Sequence, residues 1–220
     1  MGVYIEAFIL YIVIFFSQVL LRWVSNGADA ALPAEALSFS ISSLFFYLFI
    51  YCVPSLVLIW FLLYRKQKPE YRLKKPAKHD LFSGLISLPV LLTIGVAISI
   101  ISALAGAVTV QLPQSPASAA GWITLCVYCL FSAYLEESFF RFYLLSKREE
   151  LKLNAHLALA ISAVLFGICH IYEGFPGFIN AVLAGLFLGL MFLRFKTLHG
   201  IAAAHWLYNV AAFALNAYSA

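Results

Sequence analysis

Apolar runs take up nearly the whole chain: about Val3 to Leu21, Leu37 to Tyr64, Leu81 to Val110, Gly121 to Leu145, Leu157 to Ile171, Phe178 to Leu193 and Leu198 to Ala217. A helix needs about 20 predominantly apolar residues to cross about 30 Å of hydrocarbon, so most of these runs read as membrane spans. The 220 residues are 64% hydrophobic and 11% charged, with a mean hydropathy of +0.94, values far from those of a water-soluble domain. The expected fold is an all-α polytopic transmembrane bundle of about seven spans, forming one integral membrane domain over residues 1–220 and leaving no room for a separate soluble domain. Pro54 and Pro89 mark where the long second and third runs can kink. The fifth run is short for a span and is expected to lean on neighbouring helices or to line a cavity.

Basic residues collect in three loops. Arg65, Lys66, Lys68, Arg72, Lys74, Lys75 and Lys78 follow the second run, Lys147, Arg148 and Lys152 the fourth, and Arg194 and Lys196 the sixth, whereas Arg22 alone occupies the opposite loops. With seven spans the three basic loops share one side, and the tendency of Lys and Arg to stay in the cytoplasm predicts an inside N-terminus. The net charge of +4 therefore reads as membrane topology, or as contact with anionic lipid, and not as nucleic-acid binding. The stretch GADAAL offers a cleavage-like site near Ala30, but MGVYIEAF has no basic residue and carries Glu6, which argues against a cleaved signal peptide. Cys52, Cys126, Cys129 and Cys169 all fall in apolar runs and read as packing residues; the C-x-x-C of Cys126 and Cys129 lacks the second pair that a structural zinc site needs.

Of the ten acidic residues, only Glu136 and Glu137 lie well inside a run, in AYLEESFFRFYLL. A charge at the bilayer centre costs a few kcal/mol even on mild insertion scales, so each needs a partner or a wet cavity. Glu137 and Arg141 are i and i+4 with the acid first, the favoured order for a helix ion pair, and this pairing reads as structural. Glu136 points about 100° away round the helix and is left to find another partner. Phe166 and His170 in FGICH share one face of the fifth segment, and His205 and Asn209 in HWLYN share one face of the seventh. A single intramembrane histidine or asparagine is often only packing or interhelical glue. A carboxylate with two histidines and an amide on separate spans points instead to a shared polar site.

Such a site suits peptide-bond hydrolysis. A shielded glutamate can serve as general base on water, a histidine can share the proton, and a second histidine with an amide can donate to the oxyanion. A three-ligand zinc centre of Glu136, His170 and His205 is the competing account, without an H-E-x-x-H motif to support it. A proton-coupled transporter would also use buried Glu and His, but no inverted repeat is visible.

EESFFR, FGICH and HWLYN, in that order in successive apolar segments, resemble the E-E-x-x-x-R, F-x-x-x-H and H-x-x-x-N motifs of the type II CAAX prenyl endopeptidase family, also called the CAAX-protease and bacteriocin-processing family. The resemblance covers roughly Gly121 to Asn209; residues 1–120, holding three spans, carry no such motif, and 121–217 form the motif-bearing core. It implies an α-helical intramembrane glutamic protease without a cofactor, with a conical water-filled cavity open to the cytoplasmic side and the membrane. By position, Glu136 and His170 would activate water, His205 and Asn209 would form the oxyanion hole, Glu137 and Arg141 would support the site, and Phe166 would pack or wall the substrate. The implied partner is a membrane-associated peptide or protein, and the compact chain is most similar to prokaryotic members, in a cytoplasmic membrane. Some members have an eighth span, for which eleven residues after Asn209 leave no space. A non-catalytic immunity or scaffold protein of the same fold is the alternative.

Overall fold

The computed structural model describes residues 2–20, 40–66, 73–106 and 115–219. Arg22, Lys68, Glu70, Arg72, the site near Ala30 and most of the loop after Val110 lie outside the described residues. Among the described residues seven helices follow one another: α1 Gly2–Leu20, α2 Ile41–Arg65, α3 Lys78–Leu104, α4 Ala119–Ser146, α5 Ala155–Ile168, α6 Ile171–Phe195 and α7 His199–Ser219. They correspond in order to the seven apolar runs. α1, α2, α3, α4 and α6 are both long and apolar enough to cross a membrane. α5 has 14 residues, about 21 Å at 1.5 Å per residue, which is short of the hydrocarbon thickness. α7 has 21 residues, but His205, Tyr208 and Asn209 dilute its apolar character.

Local chemistry sets the helix starts. Ser40, Ser118 and Asn154 accept the backbone N–H groups of Ser43, Gly121 and Leu157 at 3.1, 3.1 and 2.8 Å, which satisfies one orphan donor each at the starts of α2, α4 and α5. Asp80 closes α3 from inside, its Oδ2 accepting Ala77 N–H at 2.8 Å. Pro54 comes one residue after a π-helical segment, Tyr47–Cys52; the wider turn makes room for a ring that would clash with the carbonyl four residues back in a regular α-helix. Among the described residues two more π segments occur, Tyr11–Phe16 in α1 and Ser138–Tyr143 in α4.

The apolar surface is inverted relative to a soluble protein. Leu104, Phe175, Leu81 and Phe8 are 83, 73, 68 and 66% exposed, a display that would aggregate in water and is solvated by lipid tails. Inside, one core draws on all seven helices, from Leu10 and Leu48 through Leu91, Leu135 and Ala158 to Ala181 and Ile201. Lipid gives no hydrophobic push between helices, so close approach through small residues does much of the work. α7 packs on α3 and α4, and α5 pairs with α6. On the α5–α6 seam a Cβ at Gly189 would overlap Leu159, and one at Gly185 would press on Ala163 and Phe166.

The α3–α7 crossing is tighter still: a Cβ on Gly200 would overlap the Asp80 carbonyl oxygen and Ser83 Oγ. Because the obstacle is backbone, the helices must separate. Gly200→Ala is expected to lower the melting temperature in detergent by several degrees, whereas Gly2→Ala, with nothing within 4 Å of the added carbon, is expected to be silent. Equal melting of the two variants contradicts this packing.

α1 is latched to the end of α4. Glu6 Oε1 accepts Tyr143 Oη at 2.6 Å and pairs with Lys147 Nζ at 2.5 Å, while Tyr4 Oη donates to the Leu151 carbonyl at 2.7 Å. The Lys147 side chain is fully buried and lies over the Tyr143 ring at 4.0 Å; burial pushes its ammonium down and Glu6 draws it back. Removing one partner of such a pair strands the other. Glu6→Gln is expected to cost about 1.5–3 kcal/mol, the range for a hydrogen bond to a charged group, and adding Lys147→Met is expected to recover part of it. Thermal melts of the three proteins check this.

Candidate functional site

The site is built at the crossing of α4, α5 and α7. Glu136 and Glu137 close the α-helical part of α4, and the π segment Ser138–Tyr143 begins at the next residue. Such segments recur at functional sites because they re-aim side chains without breaking a helix. Two neighbours hold this one: Trp60 Nε1 donates to Ser138 Oγ at 3.2 Å from α2, and Ser162 Oγ donates to the Phe140 carbonyl at 2.6 Å from α5.

His205 stands between the two glutamates. Its Nδ1 is 2.8 Å from Glu137 Oε1, and its Nε2 is 3.6 Å from Glu136 Oε2. Arg141 Nη1 approaches the same Glu137 oxygen at 3.1 Å, both side chains being essentially sealed from solvent. The spacing argument for Glu137 with Arg141 therefore holds in the geometry, and His205 is added to that pair. Two carboxylates, a guanidinium and an imidazole that can carry a proton form a set whose charges can cancel, which is what a low-dielectric interior demands.

Phe166 organises the cations and histidines. It is 3% exposed, and the Arg141 guanidinium lies 4.4 Å from its ring centroid. The His170 and His205 rings meet it edge to face at 4.6 and 5.8 Å. No nitrogen of the guanidinium has a hydrogen-bond partner of good geometry among the described residues, so the aromatic face is a main source of its stabilisation.

Glu136 differs from Glu137 in being accessible. Its side chain is 17% exposed against 0%. Oε1 accepts Ser132 Oγ at 3.0 Å, while Oε2 is buried with no hydrogen-bond partner among the described residues. Tyr51, Cys52, Cys129 and Cys169 lie within its electrostatic reach. His170 is half-buried and its Nδ1 is 2.9 Å from the Phe166 carbonyl. That acceptor requires a proton on Nδ1, so in the neutral ring Nε2 keeps a free lone pair. Asn209 is half-buried one turn beyond His205, with no hydrogen bond among the described residues.

The zinc centre weighed from sequence would need Glu136, His170 and His205 to converge on one point. Among the described residues no three His, Cys, Asp or Glu side chains are grouped closely enough to hold a metal ion. Cys126 and Cys129 are free thiols. Sequence reasoning missed Ser132, whose i, i+4 spacing to Glu136 could have revealed it. It also missed Trp60 and Ser162, which only the fold brings near.

A helical bundle with apolar outer faces and an enclosed Glu–Glu–Arg–His cluster defines an integral membrane protein with an intramembrane polar site. Residues 116–211 match the family model described as Type II CAAX prenyl endopeptidase Rce1-like, so the likeness to that family lies in the α4–α7 portion. The matched stretch holds Glu136, Glu137, Arg141, Phe166, His170, His205 and Asn209; α1, α2 and α3 lie outside it. No curated protein and no solved structure gives a match.

Proposed function

We propose that the protein is an intramembrane endopeptidase that hydrolyses a peptide bond of a membrane-associated peptide or protein, using water activated by Glu136 and His170. The observation that carries this reading is the Glu136 carboxylate: partly exposed, with Oε2 lacking a hydrogen bond and 3.6 Å from His205 Nε2. A buried acceptor left open is costly, and a water or substrate group that fills it recovers that cost.

In the proposed sequence, Glu136, with the free Nε2 of His170 within the same site, takes a proton from water as the oxygen attacks the scissile carbonyl. The carbonyl electrons move to the oxygen, which receives hydrogen bonds from the Asn209 amide and from His205 Nε2–H when that ring is protonated and held by Glu137. Collapse of the tetrahedral intermediate breaks the C–N bond, and the leaving amine takes the proton held at Glu136 or His170. Glu137 and Arg141 fix the position and charge of His205. No step calls on a metal. With the positive loops inside, the N-terminus and the cavity mouth face the cytoplasm.

The test is a comparison of membrane-protein termini in cells carrying wild type or Glu136→Gln. New peptide ends present only with wild type identify both the activity and its substrate. An unchanged set of ends, with both proteins inserted and abundant, leaves a binding or immunity role in place of proteolysis.

A further inference from the structure

Away from the Glu–His cluster, a cleft of about 390 Å³ opens where three basic loops meet, lined among others by Lys74, Lys75, Arg148, Lys196, Thr197 and His199. We propose that this cleft is a binding site for the phosphate headgroup of an acidic phospholipid.

The charge balance is the first argument. Four cations, Lys74, Lys75, Arg148 and Lys196, face two lining carboxylates, Asp80 and Glu149, an excess of two positive charges. Both carboxylates are already engaged. Asp80 accepts the N–H groups of Ala77 and Gly200 at 2.8 and 3.2 Å, and Glu149, 85% exposed, meets Arg148 only at 3.5 Å. Lys74, Lys75 and Lys196 have no ion pair among the described residues. Burial and the nearby Arg148 push the Lys196 ammonium down, as expected where a second cation lies close.

The cleft also holds an orphan hydroxyl. Thr197 is 4% exposed, and its Oγ1 is buried without a hydrogen-bond partner among the described residues. An unpaired hydroxyl buried beside clustered cations is a donor waiting for an acceptor, and phosphate oxygens are strong ones. The frame around it is fixed. Lys196 sits in left-handed backbone at φ 54°, and His199 joins the Tyr134 hydroxyl at 2.9 Å to the Lys74 carbonyl at 2.8 Å.

The position of the cleft favours a lipid as the source of the phosphate. The lining comes from the first turn of α3, the end of α4, the end of α6 and the start of α7, so the cleft lies at the level where hydrocarbon gives way to water. Phe142, Phe192 and Leu198 supply an apolar wall. Beside it the Phe82 and Phe195 rings, 5.8 Å apart, lead to the outer surface, where Phe82 is 55% exposed. A basic pocket continuous with an apolar track suits a glycerophosphate whose acyl chains run down the outside of the bundle.

The probe is phosphatidylglycerol, measured as lipid retained through purification and as the melting shift it gives over phosphatidylcholine alone. Arg148→Gln with Lys196→Asn, the latter chosen because Asn tolerates left-handed backbone, is expected to weaken retention about 5-fold for each cation removed. Thr197→Val is expected to lower retention while leaving melting in phosphatidylcholine unchanged or raised. Lys66→Gln, an exposed lysine outside the cleft, is expected to have no effect. Equal loss with Lys66→Gln reduces the effect to diffuse surface attraction and overturns the site. Retention unchanged in Thr197→Val removes the defined pocket. A melting shift from glycerol 1-phosphate or inorganic phosphate equal to that from the lipid assigns the cleft to a soluble anion and overturns the lipid proposal.

Discussion

Glu137→Gln is expected to destabilise the protein by about 3–5 kcal/mol, the cost of stripping one partner from a buried ion pair, and to lower its melting temperature by roughly 10 °C. The physical cause is Arg141. Its guanidinium is 1% exposed, has Glu137 as its only carboxylate within 4.0 Å among the described residues, and otherwise rests on the Phe166 ring. Once Glu137 is neutral, that charge stays buried without a counter-ion. His205 also loses the anion at its Nδ1, so activity falls along with stability. Arg141→Met in the Glu137→Gln background removes the stranded charge and is expected to restore much of the stability but not the activity. A double variant as unstable as the single one contradicts this account of the pair.

Glu136→Gln is expected to do the opposite: to leave melting within about 1 kcal/mol of wild type, the scale of one hydrogen bond, and to remove catalysis. The amide keeps the shape and can still accept Ser132 Oγ, and the partial exposure of Glu136 means no buried charge is orphaned. What the amide cannot do is take a proton from water. Positioned general bases are worth about 10²–10⁴-fold, so the turnover rate is expected to drop by that order with little change in KM. Asn209→Ala removes the proposed oxyanion donor and is expected to cost about 10²–10³-fold.

Much of the fold was legible because lipid is a demanding solvent: the seven apolar runs map onto seven helices, and Ser118 and Asn154 stand as caps where the runs begin. The i, i+4 spacings also survive intact, placing Arg141 beside Glu137 and Phe166 beside His170. What sequence could not show is set by packing between distant segments. His205 reads as a partner for Glu136 alone, yet it lies nearer Glu137, because Gly200 and Gly84 bring α7 against α3 and fix which way its polar face turns toward α4. Glu6, which reads as an acid near a terminus, meets Lys147 across 141 positions. The π segment after Glu137 has no apolar period that announces it, although it immediately follows the two glutamates on which the proposed site rests.

The most direct test of the central claim is the rate at which purified protein, reconstituted in bilayers and assayed for metal content, cleaves the peptide identified from altered membrane termini. The account predicts cleavage by metal-free wild type and a loss of about 10²–10⁴-fold in Glu136→Gln with unchanged melting. Wild-type rates in Glu136→Gln, or activity that tracks one bound zinc per chain, would contradict it.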